Sequence, residues 1–280
     1  MTDIETILAT ATKRLQASSD SAALDAEVLL CHIMDKPRSH LRAWPEKKLL
    51  PQQSAQFLQL LNKREQGMPI AYITRNREFW SRNFTVTPDV LIPRPDTELL
   101  IELSLKLLTN HSNVRLLDLG TGSGIIAITL AAEIPTIEVI ATDLSDKALN
   151  IAKQNAKTHQ INNIHFIQSY WFNDIAPSQF DLIISNPPYI EHNDPHLSQG
   201  DLRFEPACAL IADEQGLKDI KTLCKQACDF LKPGGTLLIE HGCNQQLAVQ
   251  TIFNSFDYHN VKTYTDLSGN PRVTTGLWNP

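Results

Sequence analysis

Apolar residues recur at helical spacing at the start of the chain. Ile4, Ile7, Leu8, Ala11 and Leu15 predict a helix over 3–16. Leu24, Val28, Leu29 and Ile33 predict a second, capped by Asp20 or Ser21 and ended by Lys36-Pro37. After a short apolar turn through Leu41 and Trp44-Pro45, Pro51 opens a third helix with Phe57, Leu60 and Leu61 on one face, and Gly67 stops it. A small helical domain over residues 1–75 follows from this pattern. Residues 76–92 read differently: Glu78-Phe79-Trp80 and Phe84-Thr85-Val86-Thr87 predict two strands around Ser81-Arg82-Asn83, a hairpin linker. In Leu91-Ile92-Pro93-Arg94-Pro95-Asp96-Thr97-Glu98 the prolines hold the chain extended, and Asp96 or Thr97 is placed to cap a helix from Glu98 to about Leu108.

From residue 114 the period alternates. Strands are predicted at Val114–Leu119, Glu138–Asp143, His165–Gln168, Phe180–Ser185 and Thr236–Glu240. Helices are predicted at Ile125–Glu133, Lys147–His159, Leu217–Leu231 and near Gln245–Phe256. Such alternation requires an α/β domain, residues 93–280, with a mostly parallel sheet covered on both faces. His259–Tyr264 and Arg272–Leu277, joined by Ser268-Gly269-Asn270-Pro271, add an antiparallel hairpin at one edge.

Charge narrows the partners. The 280 residues carry 25 Lys and Arg against 31 Asp and Glu, net −6. General binding to a phosphate backbone needs clustered cations and is disfavoured. Residues 1–75 hold ten basic and eight acidic residues, so +2 lies there and −8 in the remainder. Neither a signal peptide nor an apolar run of about 18 residues is visible. The cysteines (Cys31, Cys208, Cys224, Cys228, Cys243) are odd in number, scattered and without zinc-like spacing, and are read as small hydrophobes. A cytoplasmic, reduced, metal-free monomer is expected.

Two stretches carry chemistry. Asp118-Leu119-Gly120-Thr121-Gly122-Ser123-Gly124 lies between a strand and a helix, where glycines let a ligand approach the backbone. Asp143 ends the next strand, placed to accept two ribose hydroxyls. The glycine spacing departs from the dinucleotide fingerprint, and no P-loop lysine follows. Asp118 beside the turn points to a cationic ligand, and S-adenosylmethionine carries both an ammonium and a sulfonium. The second stretch is Ser185-Asn186-Pro187-Pro188-Tyr189 at a strand end. Two prolines remove two N–H donors, leaving carbonyl acceptors beside the Asn186 oxygen, and Tyr189 offers a flat face. Such an edge suits a planar nitrogen that carries hydrogens. His192 and His196 read as solvated, and His241 as a structural hydrogen-bonding residue.

Together with Leu91–Glu98, Gly200-Asp201-Leu202-Arg203-Phe204-Glu205-Pro206 and Glu240-His241-Gly242, these motifs resemble the glutamine methyltransferases of peptide chain release factors, the HemK/PrmC family. The resemblance covers nearly the whole chain. It implies a class I S-adenosylmethionine-dependent methyltransferase fold, Rossmann-like, with a helical substrate-recognition domain. It also implies methylation of the side-chain amide nitrogen of the glutamine in the Gly-Gly-Gln loop of class I release factors. By position it implies that Asp118, Gly120, Thr121, Gly122, Ser123, Gly124, Asp143 and Asn186 hold the cofactor and that Trp171 lies against its adenine. Asn186, Pro187, Pro188 and Tyr189 would hold the glutamine amide, with Asn186, Pro187 and Tyr189 serving catalysis. Tyr170 stands where relatives commonly have Asp, and Arg75 replaces a linker glycine, so that Asn76 is expected to take any left-handed turn. For Arg203–Pro206, a local ion pair in a surface loop competes with a loop shaping the glutamine pocket. Competing functions are a ribosomal-protein glutamine methyltransferase, an adenine amino-methyltransferase of DNA or RNA, a nicotinamide oxidoreductase and a non-catalytic cofactor-binding adaptor.

Overall fold

The computed structural model describes residues 2–108 and 113–280. The chain divides into two units. The first runs to Asn76 and includes His196–Phe204. Its helices are α1 (Ile4–Leu15), α2 (Ala22–Met34), α3 (Arg38–Ala43), α4 (Pro51–Glu65) and α5 (Ile70–Thr74). Ile4, Leu15, Leu29, Leu30, Leu41, Phe57 and Leu61 form its core. Asp3 caps α1 by accepting from the Thr6 N–H at 2.8 Å. At α2 the expected cap is absent: Ser21 sits at the position, but its hydroxyl donates to Asp25 instead. Asp25 also pairs with Arg64 of α4 at 2.6 Å, which tethers the two helices. The short helices α3 and α5 were not expected, because five or six residues carry too little periodicity to read. Arg75 itself, not Asn76, takes the left-handed turn after α5, with φ 55°.

The second unit opens with a hairpin, β1 (Arg77–Phe79) and β2 (Arg82–Phe84). Its turn is the two residues Trp80-Ser81, with φ 51° and 56°, rather than the three expected. Thr85 has left the strand, and its N–H donates to the Asn155 side chain. Then come α6 (Glu98–Leu108), β3 (Arg115–Leu119), α7 (Ile125–Glu133), β4 (Glu138–Asp143), α8 (Asp146–Thr158) and β5 (Ile164–Gln168). They are followed by β6 (Phe180–Ser185), the single turn α9 (Asp213–Gly216), α10 (Lys218–Ala227) and β7 (Leu231–Glu240). The last elements are α11 (Gln246–Ser255), β8 (His259–Thr265) and β9 (Pro271–Leu277). Helix α10 ends four residues earlier than expected and β7 starts five earlier, because Lys232–Gly235 forms an irregularity inside the strand's pairing with β6.

Seven strands pair in the order β5-β4-β3-β6-β7-β9-β8, and every pairing is parallel except those of β9 with β7 and with β8. Alternate residues feed opposite faces. Leu116, Leu182, Ile184 and Leu238 meet α6 and α7 on one side. Leu117, Leu119, Ile183, Leu237 and Ile239 meet α10 and α11 on the other. The chain leaves β3 toward β4 and later returns to β6 on its opposite side. That order reversal opens a crevice at the carboxyl ends of β3 and β6.

Candidate active site

The glycine turn after β3 is built from left-handed residues: Gly120, Gly122 and Gly124 have φ 73°, 56° and 85°. Its register is set by the Thr121 N–H donating to the Thr142 carbonyl at 2.8 Å. Asp143 at the end of β4 closes the cradle, accepting from the N–H of Gly122 and of Ser145 at 2.9 Å each. Each carboxylate oxygen keeps lone pairs for a ligand hydroxyl. A Cβ placed on Gly122 would meet no protein atom within 4 Å, whereas one on Gly124 would strike Ile128 and Ala152. Gly122 therefore faces open space and Gly124 the packed start of α7.

That space is a cavity of about 390 Å³. Gly120, Thr121, Gly122, Ser123, Asp143 and Trp171 line it, as do Asn186 and Pro188. The strand-loop residues Pro206, Cys208, Ala209 and Ile211, and Asp219 of α10, complete the wall. The Trp171 indole N–H donates to Asp219 at 3.2 Å, and its ring lies 3.4 Å from where a Gly120 Cβ would stand. Tyr170 is exposed beside it.

Four of the expected site residues do not line this cavity: Asp118, Gly124, Pro187 and Tyr189. Asp118 shares the strand face of Leu116, so alternation turns it inward beneath α7 rather than toward a ligand. There it accepts from the Thr121 hydroxyl at 2.6 Å and from the Ala127 N–H, while its second oxygen has no partner. Burial pushes its carboxyl up to about 7, against those two hydrogen bonds. These bonds tie the glycine turn to the start of α7. Pro187 is buried. The half-buried Tyr189 ring packs against the core beneath α10, and its hydroxyl lies 3.5 Å from Glu240. The backbone there is fixed by the Gln245 amide donating to the Tyr189 carbonyl at 3.0 Å and by Gly216, where any Cβ would collide with that carbonyl.

The Asn186 amide nitrogen donates to the Thr97 hydroxyl at 3.2 Å. Thr97 was expected as a candidate helix cap. It lies instead in a 3-10 turn, Pro95–Thr97, that leads into α6, and its buried side chain faces Asn186. Glu205 pairs with Arg94, 111 residues upstream, rather than locally, at 2.7 and 2.8 Å. This bridge ties the Pro206–Ala212 wall to the segment before α6. The wall is further held by reciprocal backbone bonds between Ile190 and Leu210–Ala212. Glu240, which the sequence marks only within Glu240-His241-Gly242, is buried at the end of β7, and burial pushes its carboxyl up to about 7. His241 donates from Nδ1 to the Gly242 carbonyl, so Nε2 accepts from Thr274 at 2.8 Å and the ring is structural. Cys208 and Cys243 are exposed, unlike the buried Cys224.

Residues 110–274 match a family described as a methyltransferase domain, and residues 6–74 match the PrmC N-terminal domain. A methyltransferase structure from Pyrococcus furiosus covers 81% of the chain and 99% of its own length at TM-score 0.54 and 17% identity. A ribosomal protein L11 methylase from Lactobacillus delbrueckii subsp. bulgaricus covers 70% and 84% at 0.52 and 19%. Both share the fold. Release factor glutamine methyltransferases of Vibrio cholerae, Aliivibrio fischeri and Escherichia coli K12 are 51%, 50% and 47% identical. The matches span 98%, 93% and 96% of this chain and 96%, 92% and 96% of theirs. With about half its residues shared over nearly the full length of these relatives, the chain belongs to the release factor glutamine methyltransferase family.

Proposed function

We propose that the cavity beside Gly122 and Asn186 transfers a methyl group from S-adenosylmethionine to the side-chain amide nitrogen of the Gly-Gly-Gln glutamine in class I release factors. One observation carries this reading. The Asn186 nitrogen is engaged by Thr97, which leaves the amide oxygen for the cavity, next to two prolines that have no N–H to donate. That edge of the cavity, the Asn186 oxygen with two prolines after it, accepts hydrogen bonds and presents no proline N–H, as an NH2 group requires.

Gly120–Ser123 and Asp143 fit the cofactor, since the turn is open at Gly122 and the carboxylate has lone pairs to spare. Trp171 supplies an apolar wall for adenine, and Asp219 on α10 adds an acid contact to that wall. S-adenosylmethionine supplies an electrophilic methyl on a sulfonium. An amide nitrogen is a poor nucleophile because its lone pair is delocalised. The Asn186 oxygen and a backbone carbonyl of the proline pair, each accepting one amide N–H, shift electron density onto that nitrogen and aim it. Orientation of this kind is worth up to roughly 7–11 kcal/mol. Asparagine is no base, so the proton leaves after or late in transfer. Residues 1–75 recognise the partner, with 76–92 as a linker, and the enzyme works as a cytoplasmic monomer without contacting DNA.

The test mixes purified protein, labelled S-adenosylmethionine and unmodified release factor, then maps label by peptide mass. Label on the Gly-Gly-Gln peptide, absent when glutamine is replaced, is expected. Label on a ribosomal protein or on nucleic acid instead would overturn the assignment.

A further inference from the structure

A buried carboxylate stands behind Asn186 with no assigned task. Ser185, the last residue of β6, pairs with Ile239 of β7, so Asn186, just past β6, comes level with Glu240 at the end of β7 and on the same face. Thr97 descends onto that face from the start of α6. Glu240, Thr97 and the Ser185 hydroxyl below them are all buried. The Thr97 hydroxyl accepts a hydrogen bond from the Asn186 nitrogen, so its own hydrogen must find another acceptor. The buried Glu240 carboxyl lies beside both Thr97 and Asn186, which favour its charged form. One of its oxygens, Oε2, is buried without a hydrogen-bond partner.

We infer that Glu240 is a positioning residue that fixes which way the Asn186 amide faces. The chain of donation runs one way, from Asn186 nitrogen to Thr97 oxygen and from Thr97 hydrogen to the Glu240 carboxylate. It ends on a group that only accepts. Turning the Asn186 amide over would set its oxygen against the Thr97 oxygen, with a carboxylate behind. The orientation with oxygen toward the cavity is therefore enforced by a charge that never touches substrate. This inference rests on the proposed role of Asn186 as amide acceptor.

Protonation releases the lock, because a carboxylic acid donates to Thr97 and lets it donate to an inverted Asn186. Burial pushes Glu240 upward, opposed mainly by Thr97 and then by Arg272. The groups facing it are Tyr189 after β6, Asp96 before α6, and Arg272 of β9, which pairs with Asp96 and Asp266 at 3.2 and 3.3 Å. His241 follows it just past β7, and burial lowers its pKa below the ordinary imidazole value.

The experiment follows the Asn186 side-chain NH2 resonances of the 15N-labelled protein from pH 5 to 9, assigned by their loss in N186D. It also measures kcat and cofactor affinity. Wild-type resonances should shift with a midpoint near pH 7, and E240Q should abolish the shift. E240Q should lower kcat by about 30-fold, as expected for one hydrogen bond to a charged group, with cofactor affinity within about twofold. Thr97→Val should match E240Q, and Thr97→Ser should restore kcat to within about threefold of wild type. Should E240Q fail to fold, the two Thr97 variants carry the test. A flat wild-type titration, or E240Q or Thr97→Val with near-normal kcat, would overturn the inference. A wild-type enzyme that never methylates a release factor would sink the proposed function while leaving the titration readable.

Discussion

Arg94 and Glu205 meet through a single guanidinium nitrogen that lies 2.7 and 2.8 Å from both carboxylate oxygens, although 111 residues separate them. The Glu205 side chain is wholly buried while Arg94 keeps partial access to solvent. The pair fastens the loop carrying Pro206, Cys208 and Ala209 over the cavity. Removing the cation strands a buried charge, which costs more than the pair itself contributes. Arg94→Ala is expected to lose roughly 3 kcal/mol in urea unfolding, and the double variant with Glu205→Gln should recover part of it. Equal losses in the single and double variants would contradict the pairing argument.

The glycines of the turn should separate binding from folding. Gly122→Ala places a methyl in open cavity space, at φ 56°, so stability should fall by only about 1–2 kcal/mol while cofactor affinity drops at least about tenfold. Gly124→Ala drives a methyl to 2.8 Å from Ile128 and 3.1 Å from Ala152. Strain and overpacking together should cost about 3 kcal/mol or more. Denaturation paired with titration calorimetry distinguishes the two, and a G122A protein with normal affinity would argue against a ligand at this turn.

Stability should depend on pH through Asp118. Its folded value near 7 exceeds the ordinary 3.8, so the folded state holds the proton more tightly. Its contribution is complete below about pH 4 and is lost as pH rises toward 7 and beyond. Three units correspond to roughly 4 kcal/mol, an upper figure for one group. Glu240 acts in the same direction between 4.5 and about 7. His241 acts oppositely, since burial lowers its value and stability is lost as pH falls below 6.5. Asp118→Asn should flatten the decline between pH 5 and 8, measured by urea midpoints; an unchanged slope would place the titration elsewhere.

Asn186→Ala should cut methyl transfer at least about 100-fold, comparable to losing one preorganised polar partner at a reacting centre. Cofactor affinity should stay within a few-fold, because Gly120–Ser123 and Asp143 remain. Single-turnover kinetics with saturating cofactor read the first quantity. A variant turning over normally would remove Asn186 from the chemistry.

Periodicity by itself determined the alternating elements of the second unit, the antiparallel edge hairpin and the cradle of Gly120, Gly122 and Asp143. Each depends on neighbours within a turn or a strand, where spacing is the physics. Motif identity likewise determined the family. What only the tertiary structure decided is which side chains reach the cavity. Strand parity sends Asp118 under α7, and packing against the core keeps Tyr189 off the cavity wall. Strand register sets Glu240 behind Asn186, and the 3-10 turn before α6 brings in Thr97 from 89 residues away. Glu205 finds Arg94 rather than its neighbour Arg203 for the same reason. Partners that distant in sequence are chosen by how sheet and helices stack, and no local pattern records that choice.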